Sequence, residues 1–215
     1  KGTHRALDRT QQFARKYSYV LQCDIRQFFP SIDHQILASI LEKKITDPQI
    51  QWLIAEILAS GIGVLTEEYE MVYFPDDDLL SNFRPRGLPI GNLTSQFWAN
   101  CYLNPFDHFI KRELQCKAYL RYVDDFLLFA DNKNVLWEWK EAIVNRLQRF
   151  RLTIHSGCHP RPVTEGIPFL GFIVFPEHRL LKKRKGIHFQ RTINKKLADY
   201  QAGAMQYDQL KASLG

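Results

Sequence analysis

Three aspartates carry the most chemistry in this chain: Asp24, Asp124 and Asp125. Asp24 stands at the end of a short apolar run, 19–25. Asp124 and Asp125 stand between two more apolar runs, 118–122 and 126–130. Carboxylates inside an otherwise hydrophobic hairpin are costly unless cations or partners compensate them. Mg2+ takes hard carboxylate oxygens and keeps several of its waters. Two or three aspartates on rigid elements are therefore the minimal protein equipment for phosphoryl transfer assisted by two divalent cations, about 4 Å apart. The plain alternative is a pair of ordinary turn residues, because Asp is favoured in turns.

The elements that must position these groups follow from the pattern. The run 19–25 reads as a buried strand, and 117–122 with 126–130 as two strands joined by a Val-Asp-Asp turn. A weakly helical stretch at 7–16 precedes them. Ser31 or Asp33 caps a helix to about Lys44, and Asp47-Pro48 opens another. Ile50, Leu53, Ile54, Ile57 and Leu58 fall on one face of that second helix, which Gly61 and Gly63 end. Residues 64–88 look irregular, and the triplet Asp76-Asp77-Asp78 within them reads as a solvated loop. A long helix is expected from about Asn92 to Leu114, and another from Asn132 or Asn134 to about Phe150. Short strands are expected at 152–154, 169–175 and 187–189, then a helix from Thr192 to Leu210. Strands joined by short turns and interspersed with helices predict an α+β fold, an antiparallel sheet with helices on one face.

Bulk properties set looser bounds. The 215 residues suffice for one large domain and a real core. A net charge of +6 suits a polyanionic partner without identifying one. Cys23, Cys101, Cys116 and Cys158 form no C-x-x-C pair, so they read as reduced thiols of an intracellular protein. The run His155-Ser156-Gly157-Cys158-His159 lacks a second ligand pair and reads as a turn. No apolar run reaches the roughly 18 residues of a membrane span, and the start of the chain has no signal-peptide pattern.

Four motifs in order change the weight of the aspartates. Tyr122-Val123-Asp124-Asp125 resembles the Tyr-x-Asp-Asp box of reverse transcriptases. Asp24-Ile25-Arg26-Gln27-Phe28-Phe29 resembles their first palm motif, Gly87–Gln96 the motif that starts the long palm helix, and Phe169-Leu170-Gly171-Phe172 the primer-grip hairpin. The resemblance spans about residues 17–180. It implies a polymerase palm with a ferredoxin-like (RRM-like) core. It implies Asp24, Asp124 and Asp125 as catalytic carboxylates, two Mg2+ ions held by them and by the Ile25 carbonyl, and Mn2+ as a substitute. Phe29, Ile90, Gly91 and Gln96 would meet the nucleotide, Phe29 by excluding a ribose 2′-hydroxyl. Tyr122, Phe169, Leu170, Gly171, Arg84, Arg86 and the basic run Lys182, Lys183, Arg184, Lys185 would meet nucleic acid.

Ile90 departs from most of the family, which has glutamine between the Pro and Gly of this motif. Gly-Leu-Pro-Ile-Gly-Asn-Leu-Thr-Ser-Gln looks like the form in diversity-generating retroelement enzymes. Those are related to group II intron reverse transcriptases and copy a template RNA into cDNA with frequent errors at adenines. The resemblance implies an RNA template, a DNA or RNA primer, deoxynucleoside triphosphates, a basic helical accessory protein, no membrane, and a cytoplasmic bacterial, archaeal or phage setting. Residues 1–16 would be the tail of a fingers region, 17–190 the palm with some fingers elements, and 191–215 the start of a truncated thumb. Only 23 residues precede Asp24, so a fragment with weak activity alone is expected. The alternatives are a group II intron-like or defence-associated enzyme, and a non-catalytic palm that scaffolds nucleic acid.

Overall fold

The computed structural model describes residues 2–75, 77–78 and 80–212, apart from the side chains of 184, 185, 188 and 210–212. The helices in chain order are α1 (Thr3–Lys16), α2 (Phe28–Ser31), α3 (His34–Glu42), α4 (Pro48–Ser60), α5 (Leu93–Arg112), α6 (Lys133–Gln148), α7 (Lys183–Gln201) and α8 (Tyr207–Ala212). The strands are β1 (Tyr19–Asp24), β2 (Tyr119–Tyr122), β3 (Asp125–Ala130), β4 (Pro160–Pro162), β5 (Ile167–Phe169), β6 (Phe172–Val174) and β7 (Arg179–Leu181). They form two compact units, Lys16–Pro162 and Lys1–Arg15 with Val163–Gly215.

The larger unit is built on an antiparallel sheet of order β2-β3-β1-β4. Leu21, Cys23, Ile25, Phe126 and Leu128 face a core shared with α3, α5 and α6, while Val20, Leu127 and Phe129 are buried on the opposite face. Burial on both faces is why β1 and β3 read as continuous apolar runs rather than alternating ones. The α5 helix buries Ser95, Trp98, Ala99, Tyr102, Leu103, Phe106, Phe109 and Ile110, a stripe at the helical period. Phe106 meets Phe126 edge-on at 5.3 Å between ring centres, locking helix to sheet. Tyr102 is fully buried, and its hydroxyl donates to the Phe150 carbonyl at 2.7 Å.

The expected caps form. Asp33 accepts from the Ile36 amide, Asp47 from Gln49 and Ile50, and Asn132 from Asn134. Asp33 does more than cap. Its carboxylate lies 2.9 Å from Arg151 and 3.8 Å from Arg84, and Asp77 lies 2.6 Å from Arg84 and 3.4 Å from Arg151. Both carboxylates are 2% exposed. The loop expected to be solvated is therefore pinned to α3 by a buried ion network, and Asp78 caps a short turn through Leu80 and Ser81. Asp76 lies outside the described residues.

The smaller unit holds α1 and the sheet β5-β6-β7. Arg179 ties the unit together through Asp8 and Gln11, and Pro176 accepts from Gln11 and Arg15. Several expectations change here and at the sheet edge, among them the helix expected from Thr192 to Leu210, which is instead α7 from Lys183 to Gln201 followed by α8. The run 169–175 is broken at Leu170-Gly171, both at positive φ (46° and 88°), which makes it the two-residue turn of the β5–β6 hairpin. Residues 187–189 lie inside α7, not in a strand. Ile154 forms only an isolated bridge to Ile25, while β4, absent from the expectation, pairs with β1. Among the described residues no helix is long and apolar enough to cross a membrane.

Candidate active site

The first carboxylate is set by β1. Asp24 is its last residue, and Asp125 faces it across the β1–β3 ladder. Gln22 shares that strand face, and its amide donates to both Asp125 oxygens at 3.2 and 3.4 Å. Asp124 occupies the two-residue turn between β2 and β3, where Tyr122 pairs with Asp125. Its neighbour Val123 has φ of 58°, an outlier for a β-branched residue. The turn is stitched to β1 by the Ile25 amide, which donates to the Asp124 carbonyl at 3.3 Å. On the other side, the Arg26 amide donates to Thr153 at 2.8 Å and the His155 amide to Asp24 at 3.1 Å. None of these three bonds uses the Ile25 carbonyl.

Asp24 and Asp124 therefore come together at one end of the sheet, close enough for the Asp124 charge to bear on Asp24. Burial, then the proximity of Asp124, pushes the Asp24 carboxyl above its ordinary value, against the pull of His155. The His155 ring lies 3.6 Å from Asp24. Burial likewise raises the Asp124 carboxyl, opposed by backbone amides of Asp124 and Asp125 and by Arg121. At both acids burial outweighs the neighbours that favour ionisation. Among the described residues no three His, Cys, Asp or Glu side chains gather as a complete metal cage. The donor set fits a cation such as Mg2+, which uses one or two carboxylates and leaves its remaining positions to water and phosphate.

Segment 85–91 is strapped to residues 29–34. The Leu88 amide donates to Phe29 at 3.0 Å, the Gly87 amide to Ile32 at 2.9 Å, and the His34 amide to Pro85 at 3.1 Å. His34 Nε2 and the Gly87 carbonyl lie 2.7 Å apart. Gly87 has φ of 95°, and a Cβ there would sit 2.7 Å from the Val64 carbonyl oxygen. The strap leaves Ile90, Gly91 and Gln96 exposed at the start of α5, and Phe29 half-buried against Phe28. Tyr122 is also half-buried.

Other expected contacts divide. Arg84 is 14% exposed and committed to Asp77 and Asp33. Arg86 stacks over the Tyr69 ring at 4.1 Å and stays partly exposed. In the smaller unit Phe169 is fully buried, so its side chain belongs to the hairpin core, while Leu170 and Gly171 form the tip. Lys182 and Lys183 are exposed where α7 begins. The side chains of Arg184 and Lys185 lie outside those described. The residue pattern did not single out Gln22 or Asp107, and it read His155 as part of a turn. Only Gln22 carried a signal, standing two residues before Asp24 on one strand face.

With this geometry in hand, the comparison with known families is decisive: the model of the reverse transcriptase (RNA-dependent DNA polymerase) family matches residues 2–174. The chain belongs to the reverse transcriptase family. Protein YkfC of Escherichia coli K12 is 22% identical over a 214-residue alignment covering 82% of this chain and 50% of YkfC. This reverse transcriptase chain thus spans about half the length of that curated relative. Among solved structures it resembles apo telomerase from Candida tropicalis lacking its C-terminal domain, with a TM-score of 0.58 and 15% identity over 85% of this chain and 40% of the other. Telomerase from Candida albicans, solved with a fragment of telomeric RNA, gives 0.58 and 13% over 85% and 34%. At these identities the likeness is one of fold, the polymerase palm.

Proposed function

We propose that the protein containing this chain is an RNA-directed DNA polymerase that adds deoxynucleotides to a primer 3′ end. The observation that carries this reading is the family match over residues 2–174, borne on a sheet that ends in Asp24 opposite Asp125, with Asp124 in the adjoining turn. In this reading Asp24, Asp124, Asp125 and the Ile25 carbonyl hold two Mg2+ ions, with Mn2+ as a substitute. When bound, divalent cations neutralise the triphosphate and lower the pKa of the primer hydroxyl. The chain's own task is positional: rigid strand ends aim the carboxylates, and Gln22 orients Asp125. Phe29 sits where a ring would meet the sugar, and Ile90, Gly91 and Gln96 flank the nucleotide. Tyr122, Arg86, Leu170, Gly171 and the 182–185 cations meet template and primer. Residues 17–190 act as palm, with fingers and thumb elements at 1–16 and 191–215.

We further propose error-prone cDNA synthesis for a diversity-generating retroelement, together with a basic helical accessory protein. The supporting residue is Ile90. Glutamine there could hydrogen-bond around the nascent pair, whereas isoleucine offers shape alone. Ile90 is 63% exposed, so it is available to a ligand rather than spent on the core. One experiment tests both levels: the full-length parent copies a defined RNA with Mg2+, and the cDNA is sequenced for wild type and Ile90→Gln. The expected result is cDNA with substitutions concentrated opposite adenines, and fewer of them in the variant. Absence of cDNA overturns the polymerase reading. An adenine error rate equal in both proteins removes the role of Ile90, and a flat error spectrum removes the retroelement assignment.

A further inference from the structure

Arg121 ties the turn that bears Asp124 to the α5 helix. Its side chain is 10% exposed. Nε and Nη2 donate to the two oxygens of Asp107 at 2.8 and 2.6 Å. The Tyr119 hydroxyl donates to the same carboxylate at 2.6 Å, which fixes Asp107 in turn. The remaining nitrogen, Nη1, donates to the Val123 carbonyl at 2.8 Å and to Asn100 Oδ1 at 3.3 Å. Asn100 and Asp107 lie seven residues apart on α5, so they share one helix face. One planar group therefore braces the β2–β3 turn against that face.

The braced residue is the strained one. A β-branched residue at φ of 58° is strained and persists only where its surroundings over-determine it. Val123 directly precedes Asp124, so relaxation of its backbone would swing the Asp124 carboxylate. We propose that Arg121, clamped by Asp107, is a positioning residue of the polymerase reaction: it holds the Val123 carbonyl and thereby fixes the turn that aims Asp124. The inference rests on Asp124 being a catalytic carboxylate. It depends on the shape of the guanidinium, not on its charge. Lysine keeps the charge but is a single donor head, unable to grip both Asp107 oxygens and the Val123 carbonyl at once.

The test is single-turnover primer extension by the full-length parent, comparing wild type, Arg121→Lys, Asp107→Asn, their double variant and Asp124→Ala. Thermal denaturation of each supplies the folded fraction. Arg121→Lys is expected to lower kcat ~10- to 100-fold, as misplacement by about 1 Å does. KM for the deoxynucleotide should stay within about twofold, because ground-state binding is untouched. Asp107→Asn should do the same in part, and the double variant should be no worse than the weaker single, since the pair acts as one unit. Wild-type kcat in Arg121→Lys overturns the proposal. So do effects of the two substitutions that multiply independently, or a kcat loss that vanishes once rates are scaled to folded protein. A silent Arg121→Lys beside an inactive Asp124→Ala removes only the positioning role. An Asp124→Ala as active as wild type removes the polymerase reading with it.

Discussion

At the scale of single residues, Asp124 shows the tension that the fold accepts. Its carboxyl is raised by burial more than backbone amides and Arg121 can offset, and Asp24 is raised by burial and by Asp124 itself. A carboxyl raised in the folded state binds its proton more tightly there than in the unfolded chain. The stabilisation is thus complete below the unfolded value, near pH 4, and is lost as pH rises through the folded value. At neutral pH the ionised pair works against folding. Asp124→Asn should therefore melt at a higher temperature than wild type at pH 7 in metal-free buffer, and the gap should close below about pH 4. Calorimetry across that range checks it, and a gap independent of pH would contradict it. The sequence singled out these aspartates because strand ends and turns are local. It could not single out Asp107 and read His155 as a turn residue, because both reach the site only through pairing and packing.

At the scale of elements, local signals were legible where local physics decides. Asp33, Asp47 and Asn132 cap their helices as their residue types predict. Long-range pairing decided the rest. The partners of Asp77 are Arg84 and Arg151, the second 74 residues away, so its burial had no sequence signature. Pro160 and Pro162 hid β4, although an edge strand is where proline is tolerated. Residues 187–189 form an apolar run too short for periodicity to separate strand from helix. The Gly87–Gly91 strap carries Ile90 and Gly91, two of the residues proposed to flank the nucleotide. Gly87→Ala must place a Cβ 2.7 Å from a carbonyl oxygen at φ of 95°. A loss of about 1–3 kcal/mol in denaturant unfolding is expected, and unchanged stability would show that the strap yields without strain.

At the scale of the whole molecule, the palm architecture was legible because its motifs keep their order along the chain. The division at Pro162–Val163 was not, since no composition shift marks it. The chain matches its family over residues 2–174 and spans about half of the curated relative, so the full-length protein is the one to assay. That sets the most direct measurement: primer extension on RNA by the full-length parent with Mg2+, beside its Asp24→Asn and Asp124→Asn forms, each confirmed as folded. The account predicts that wild type extends the primer and that either substitution lowers the rate by at least ~100-fold, the scale set by misplaced catalytic geometry. Extension by either variant at the wild-type rate would contradict it.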